Sequence, residues 1–195
     1  MTKEKEMKYK LTDETKEFLG RTLHRIVCVT AFANVSAGEA GGWIENEKNL
    51  DQEGDAWVCG DAKVYGDAEV CGNAKVYGDA WVCGNAKVYG NAKVYGNAWV
   101  YGNAWVCGDA EVCGNAKVCG LTDLIVMKNS WSSGRYFTYT VSNKMWKVGC
   151  FHGTGDELIK KAYADSELSG KCYEATVKYV EEIERIKKEA ADGKR

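Results

Sequence analysis

From Gly54 to Gly120 the chain repeats one six-residue formula, Gly-(Asp/Asn)-Ala-x-Val-(Tyr/Cys), eleven times without an insertion. A period this strict, held over a third of the 195 residues, leaves few folds open, because every unit must find the same surroundings as its neighbours. Within a unit, Ala-x-Val reads as a short strand. Strand side chains alternate, so Ala and Val share one side and x takes the other. Ala56 and Val58, Ala62 and Val64, and so on to Ala116 and Val118, keep the first side constant, while x varies among Trp, Lys and Glu and the sixth position between Tyr and Cys. A constant side is a packed interior. Gly followed by Asp or Asn then bends the chain, since Gly reaches positive φ freely and Asn and Asp tolerate it best after Gly. Three bends close one coil of about eighteen residues, with neighbouring coils about 4.8 Å apart. Each buried Val contributes roughly 1.5–3 kcal/mol against backbone entropy.

The frame Val-x-Gly-(Asp/Asn)-Ala-x resembles the hexapeptide repeat of left-handed β-helix proteins. The segments LTDETKE, GRTLHRI and AGEAGGWIENEKNLDQEGDAWV resemble the N-terminal cap of such repeat proteins from phages and gut bacteria, of the polymer-forming or acyltransferase-like kind. The resemblance implies a mostly β protein: a left-handed parallel β-helix over 54–120, an N-terminal tail and cap over 1–53, and a C-terminal α+β module over 121–195. Ile44 and Leu50, six residues apart, fit an irregular first coil. The charged start MTKEKEMKYK is unlike a secretory signal, and no apolar run is long enough to span a membrane, so the expected location is cytoplasmic.

Beyond the array the pattern changes. Leu124–Met127, Arg135–Val141 and Met145–Phe151 read as strands, the last two joined at Ser142-Asn143-Lys144. Thr154-Gly-Asp-Glu157 is a capping box opening a helix to about Asp165. A longer helix follows with Tyr173, Val177, Val180, Ile183 and Ile186 on one stripe and Glu181/Arg185 and Glu184/Lys188 spaced for ion pairs.

Six of the nine cysteines lie in the array, where an eighteen-residue coil stacks Cys59 on Tyr77, Cys71 on Tyr89 and Cys83 on Tyr101. The columnar pairs Cys71/Cys107 and Cys83/Cys119 fall two coils, or about 9–10 Å, apart, which is too far for a disulfide. Reduced structural thiols are expected, with no metal and no cofactor. Hexapeptide acyltransferases use a histidine near a solenoid face, and the related carbonic anhydrases use three on zinc. This chain has only His24 and His152, both outside the array, and no loop interrupts the array to close over a cofactor. No catalytic residue is assigned. A net charge of −2 gives no whole-chain footprint for nucleic acid, and the array's acids and lysines nearly balance.

The outward columns then carry the functional expectation. Every third unit places Lys63, Trp81, Trp99 and Lys117 in one column beside Tyr65, Cys83, Tyr101 and Cys119; a second holds Trp57, Lys75, Lys93 and Glu111, and a third Glu69, Lys87 and Trp105. Exposed aromatic ladders mark interfaces, although stacking that supports the sheet produces the same pattern. The candidate partner-binding residues are Trp81, Trp99, Trp105, Tyr65, Tyr101, Lys63 and Lys117, with Arg135, Tyr136 and Trp146 from the C-terminal module. The expected function is a non-catalytic protein-binding solenoid, on the phage resemblance an inhibitor of a host factor of the counter-defence kind. The alternatives are a trimeric acyltransferase relative and a self-assembling structural protein. The expected partners are a protein and further copies of the chain as a dimer or trimer, without membrane or direct nucleic-acid contact.

Overall fold

The computed structural model describes residues 7–192. It divides into two compact units, the first ending at Leu124 and the second beginning at Ile125.

The first unit is a β-solenoid. Its eleven two-residue strands, β4 to β14, run from Trp57–Val58 to Lys117–Val118 and stack parallel in three sheets. Registers such as Lys63↔Trp81, Trp81↔Trp99 and Trp99↔Lys117 confirm a repeat of three units per coil. Every Ala and every Val of the formula is buried, in one continuous core. The glycines do two jobs. Gly72 has φ +69°, and a Cβ there would lie 3.1 Å from the Gly90 amide nitrogen of the next coil. Any larger residue would therefore strain the bend and also push the coils apart. At the following position, Asn73 Nδ2 donates to Asn91 Oδ1 and Asn91 Nδ2 to Asp109 Oδ1, both at 3.1 Å. Asn both donates and accepts, so it can continue such a ladder that Asp can only end.

The backbone hydrogen bonds between coils point one way: Trp57 N–H donates to Ala74 O, and Lys63 N–H to Ala80 O. The N-terminal end is consequently an edge of carbonyls that needs donors. Each of its three sides is met differently. Strand β3 (Ala40–Ile44) and the residue after it serve one side, where Trp43 N–H reaches Ala62 O and Glu45 N–H reaches Val64 O. On the next side the buried Asn49 amide donates to Gly66 O and Ala68 O at 3.0 and 2.8 Å. On the third, the buried Lys8 ammonium donates to the carbonyls of Glu53, Gly54 and Ala56 at 3.2, 3.3 and 3.0 Å. Burial lowers the Lys8 pKa, opposed by the charges of Asp51 and Asp55. Ile44 stacks on Val64 and Leu50 on Val70, so the irregular first coil expected from their spacing is present.

The opening stretch differs from the expected polar tail. Residues 1–6 lie outside the described residues, but Tyr9–Phe18 is a ten-residue strand, β1, paired antiparallel with β2 (Arg21–Cys28) through a turn at Leu19 and Gly20. The stretch is polar because half of β1 is exposed and most of the rest only half-buried, while Tyr9 is buried and its hydroxyl donates to Leu50 O at 2.5 Å.

The second unit is a four-stranded sheet, β15 (Leu124–Lys128), β16 (Tyr136–Thr140), β17 (Met145–Val148) and β18 (Phe151–Gly153), in that spatial order, packed with α1 (Gly155–Asp165) and α2 (Glu167–Asp192). Its core is Phe137, Tyr139, Trp146, Val148, Leu158, Val177 and Val180. The strand expected over 145–151 breaks into two because Gly149, at φ +56°, turns the chain. The Thr154 capping box opens α1 as its spacing requires. The expected α2 stripe holds through Val180, but Ile186 is 52% exposed. The anticipated ion pairs also change: Arg185 pairs with Glu182 and Glu189, while Glu184 accepts a hydrogen bond from the Tyr139 hydroxyl at 2.8 Å.

Candidate functional site

The sequence columns are real columns, but they are not uniformly open. The hairpin β1–β2 covers the N-terminal part of the first face. Phe18 meets the Trp81 ring edge-on at 4.7 Å and Tyr65 at 5.8 Å, and the Lys63 ammonium sits over Phe18 and Trp81 at 5.3 and 5.8 Å. Lys63 and Tyr65 are each 8% exposed, so neither belongs to a free surface. Burial lowers the Lys63 pKa and pushes the Tyr65 hydroxyl well above its usual range. Trp57 on the second face is buried too, against Phe32 and Tyr9 at 5.5 and 6.4 Å. Alternation of side chains told inside from outside within a coil; it carried no information about a hairpin folding over the outside. Trp146, from the C-terminal candidates, is core, whereas Arg135 is exposed and Tyr136 half-buried.

The open tryptophans of the array sit in one coil. Trp99 is 38% and Trp105 50% exposed, six residues apart on successive faces. Trp99 stacks on Trp81 with centroids 4.5 Å apart and planes 15° from parallel, and the Lys117 ammonium lies 5.1 Å from its ring. Tyr101 flanks it, half-buried, its hydroxyl pKa raised chiefly by the neighbouring Cys119 and then by burial. Trp105 meets Tyr89 edge-on at 6.5 Å beside Lys87, which is paired with Glu69 at 3.1 Å. Partly open rings with a cation beside one of them suit aromatic or aliphatic side chains of a partner.

All nine cysteines are thiols. Burial raises the pKa of Cys59 and Cys71, which makes them poor thiolates. His24 is half-buried with Nδ1 3.3 Å from Thr12 O, and His152 is exposed on β18 opposite Lys147. Among the described residues no three His, Cys, Asp or Glu side chains converge as metal ligands. An open groove of about 500 Å³ runs along Glu47, Leu50, Gln52, Glu69 and Cys71, and a cleft of about 280 Å³ lies between Tyr139, Trp146, Asp156, Glu181 and Glu184.

Comparison with known proteins agrees with this geometry. The family described as YdcK β-solenoid repeat matches residues 86–102 and 92–108, the segment holding both open tryptophans. The array is a hexapeptide-repeat β-solenoid. A relative from Escherichia coli (strain K12), the uncharacterized acetyltransferase YdcK, is 37% identical over 59 residues. That match spans 26% of this chain and 18% of the relative, so it speaks for the repeat and not for a whole protein. No described helix is long and apolar enough to cross a membrane.

Proposed function

We propose that this chain is a protein-binding solenoid whose contact surface is the coil carrying Trp99 and Trp105. The observation that carries the reading is their exposure: both rings stand open on adjacent faces of a rigid array whose inner Ala and Val columns are complete without them. Rigid aromatic rings bury large area at small entropic cost, which is how a few residues dominate an interface. The lysine above Trp99 adds a charge-assisted rim. The finer reading, a phage protein inhibiting a host factor, rests on the resemblance of the cap and repeat to phage and gut-bacterial proteins.

The test compares capture from a bacterial lysate by the full chain and by its Trp99→Ser/Trp105→Ser variant, with solution mass determined in parallel. One stoichiometric foreign protein retained by the parent and lost by the variant supports the reading. Equal capture by both refutes it, and loss of only self-association by the variant moves the surface to copies of this chain. A second reading, acetyl transfer, draws on the printed name of the Escherichia coli relative. Saturable acetyl-CoA binding with release of free CoA in the presence of an amine would favour it.

A further inference from the structure

We propose that one end of the C-terminal sheet binds single-stranded nucleic acid, through Lys128, Arg135, Lys147 and Lys161 on its phosphates and through Trp131 and Tyr136 on its bases. The inference is independent of the solenoid surface. It starts from a charge segregation that the near-neutral whole chain conceals. Leu124 to Gly153, the entire sheet, contains Lys128, Arg135, Lys144 and Lys147 but not one Asp or Glu. The helices that follow carry the acids, ten Asp or Glu against seven Lys or Arg between residues 154 and 192.

The topology then gathers most of that charge at a single end. β15 finishes at Lys128, β16 starts at Tyr136, β17 finishes at Val148 and β18 starts at Phe151, so these four termini adjoin. Asn129 N–H donates to Arg135 O at 2.7 Å and closes the loop between the first two. The Lys128 ammonium stands 5.9 Å from the centroid of Tyr136. Arg135 runs alongside Gly149, its Cδ 3.0 Å from where a Cβ of that residue would be. Lys147 donates to the Gly149 carbonyl and lies opposite His152. Lys161 of α1 joins Arg135 at a small cleft, whose single lining carboxylate is Asp165. Lys128, Arg135 and Lys161 are exposed, and Lys147 is half-buried.

Aromatic rings among these cations select the kind of polyanion. Trp131, 37% exposed, is braced from behind by Phe137 at 5.8 Å and by Tyr173 edge-on at 6.2 Å. The loop carrying it is pinned by the buried Asn129, whose amide donates to Ser132 Oγ at 2.8 Å and whose carbonyl oxygen accepts from the Trp131 and Ser132 amides. A held ring in the loop between Lys128 and Arg135 offers a splayed base a stacking surface, and the cations offer its phosphates counter-charges, without sequence readout. A duplex keeps its base faces inside the stack and would use only the charges.

The full chain is titrated into a labelled oligothymidylate and followed by fluorescence anisotropy between about 50 and 200 mM salt. Four phosphate contacts at roughly 0.7 each predict a slope of about −2 to −3 in log affinity against log salt. Lys128→Glu/Arg135→Glu should weaken binding at least ten-fold and flatten that slope by about one or more. Trp131→Ser should weaken it with the slope unchanged, and Lys144→Glu, at the far end of the sheet, should leave it within two-fold. Circular dichroism melting accompanies each variant; if the Arg135 change unfolds the unit, Lys128→Gln/Lys161→Gln replaces it with the same expectation. Absence of binding at the lowest salt overturns the proposal, as does an unchanged slope in folded charge variants. Displacement by poly-glutamate at equal charge concentration also overturns it, assigning the surface to acidic protein.

Discussion

The two units both bury apolar side chains under β-structure, yet they distribute information in opposite ways. In the solenoid, a residue's surroundings repeat at a separation of eighteen, as the Asn73–Asn91 bond shows, so each contact is local to one coil and its neighbours. In the C-terminal unit, Trp146 of β17 packs beside Tyr139 of β16, and Tyr139 bonds Glu184 of α2 forty-five residues away. One unit is a stack of near-equivalent parts; the other is a single set of unlike parts. Charge follows the same division. The array interleaves Lys with Glu, as in Lys87–Glu69 and Lys93–Glu111, whereas the second unit separates a basic sheet from acidic helices. In this array Lys and Glu alternate often enough to pair between coils, whereas the second unit gathers its cations at one end of a sheet.

Deletion of whole coils should separate the two units most clearly. Removing Gly72–Tyr89, three whole units, rejoins Cys71 to Gly90 in the same phase, so the product should still fold and melt cooperatively at a somewhat lower temperature. Removal of an equal length from the second unit should abolish its folded signal. If the shortened array fails to fold, the coils are not equivalent. Next in size are core truncations read by urea unfolding. Trp146→Ala should cost about 3–5 kcal/mol, and Val94→Ala in mid-array should cost clearly less, because it removes only two methyl groups. Equal losses would erase the distinction between a shared core and a repeated one. The carbonyl edge at the array's N-terminal end comes next. Lys8→Met leaves three carbonyls at the array end without their donor and should cost roughly 1–3 kcal/mol, expressed first as hydrogen exchange in the coil around Ala56. Exchange that rises evenly along the array would place the loss elsewhere.

The smallest effect concerns acid. Glu157 accepts the Thr154 amide and hydroxyl at 2.8 and 3.0 Å, and the amide bond first, then the hydroxyl, holds its pKa below the usual carboxylate value. A depressed folded pKa gives stability that is present above the unfolded value and lost as pH falls through the folded one. The gap in melting temperature between parent and Glu157→Gln should therefore shrink from about pH 7 towards about pH 3. A constant gap would show that the carboxylate charge contributes nothing to the cap.

How much could be read beforehand differs by region for the same reason. Val58 to Val118 and their alanines were legible as core because a strand's two-residue alternation fixes the side that faces inward, whatever lies elsewhere in the chain. The burial of Trp57, Lys63 and Tyr65 was not, since it depends on Tyr9, Phe18 and Phe32 arriving from the N-terminal segment. The basic sheet end left a trace in the sequence, thirty residues without an acid, that net charge summed over the whole chain cancelled.

The coil was already written in the repeat: its period, its inward Ala and Val columns, its glycine bends and the stacking of Trp81 on Trp99. All of these follow from neighbours at fixed separation. Which columns remain open and how the coil ends depended on long-range packing. Covering Lys63 with a hairpin, filling a carbonyl edge with Lys8 and Asn49, and bringing four strand termini to one corner each join residues far apart in the chain. No local preference encodes such meetings, because their free energy exists only once the rest of the fold has formed.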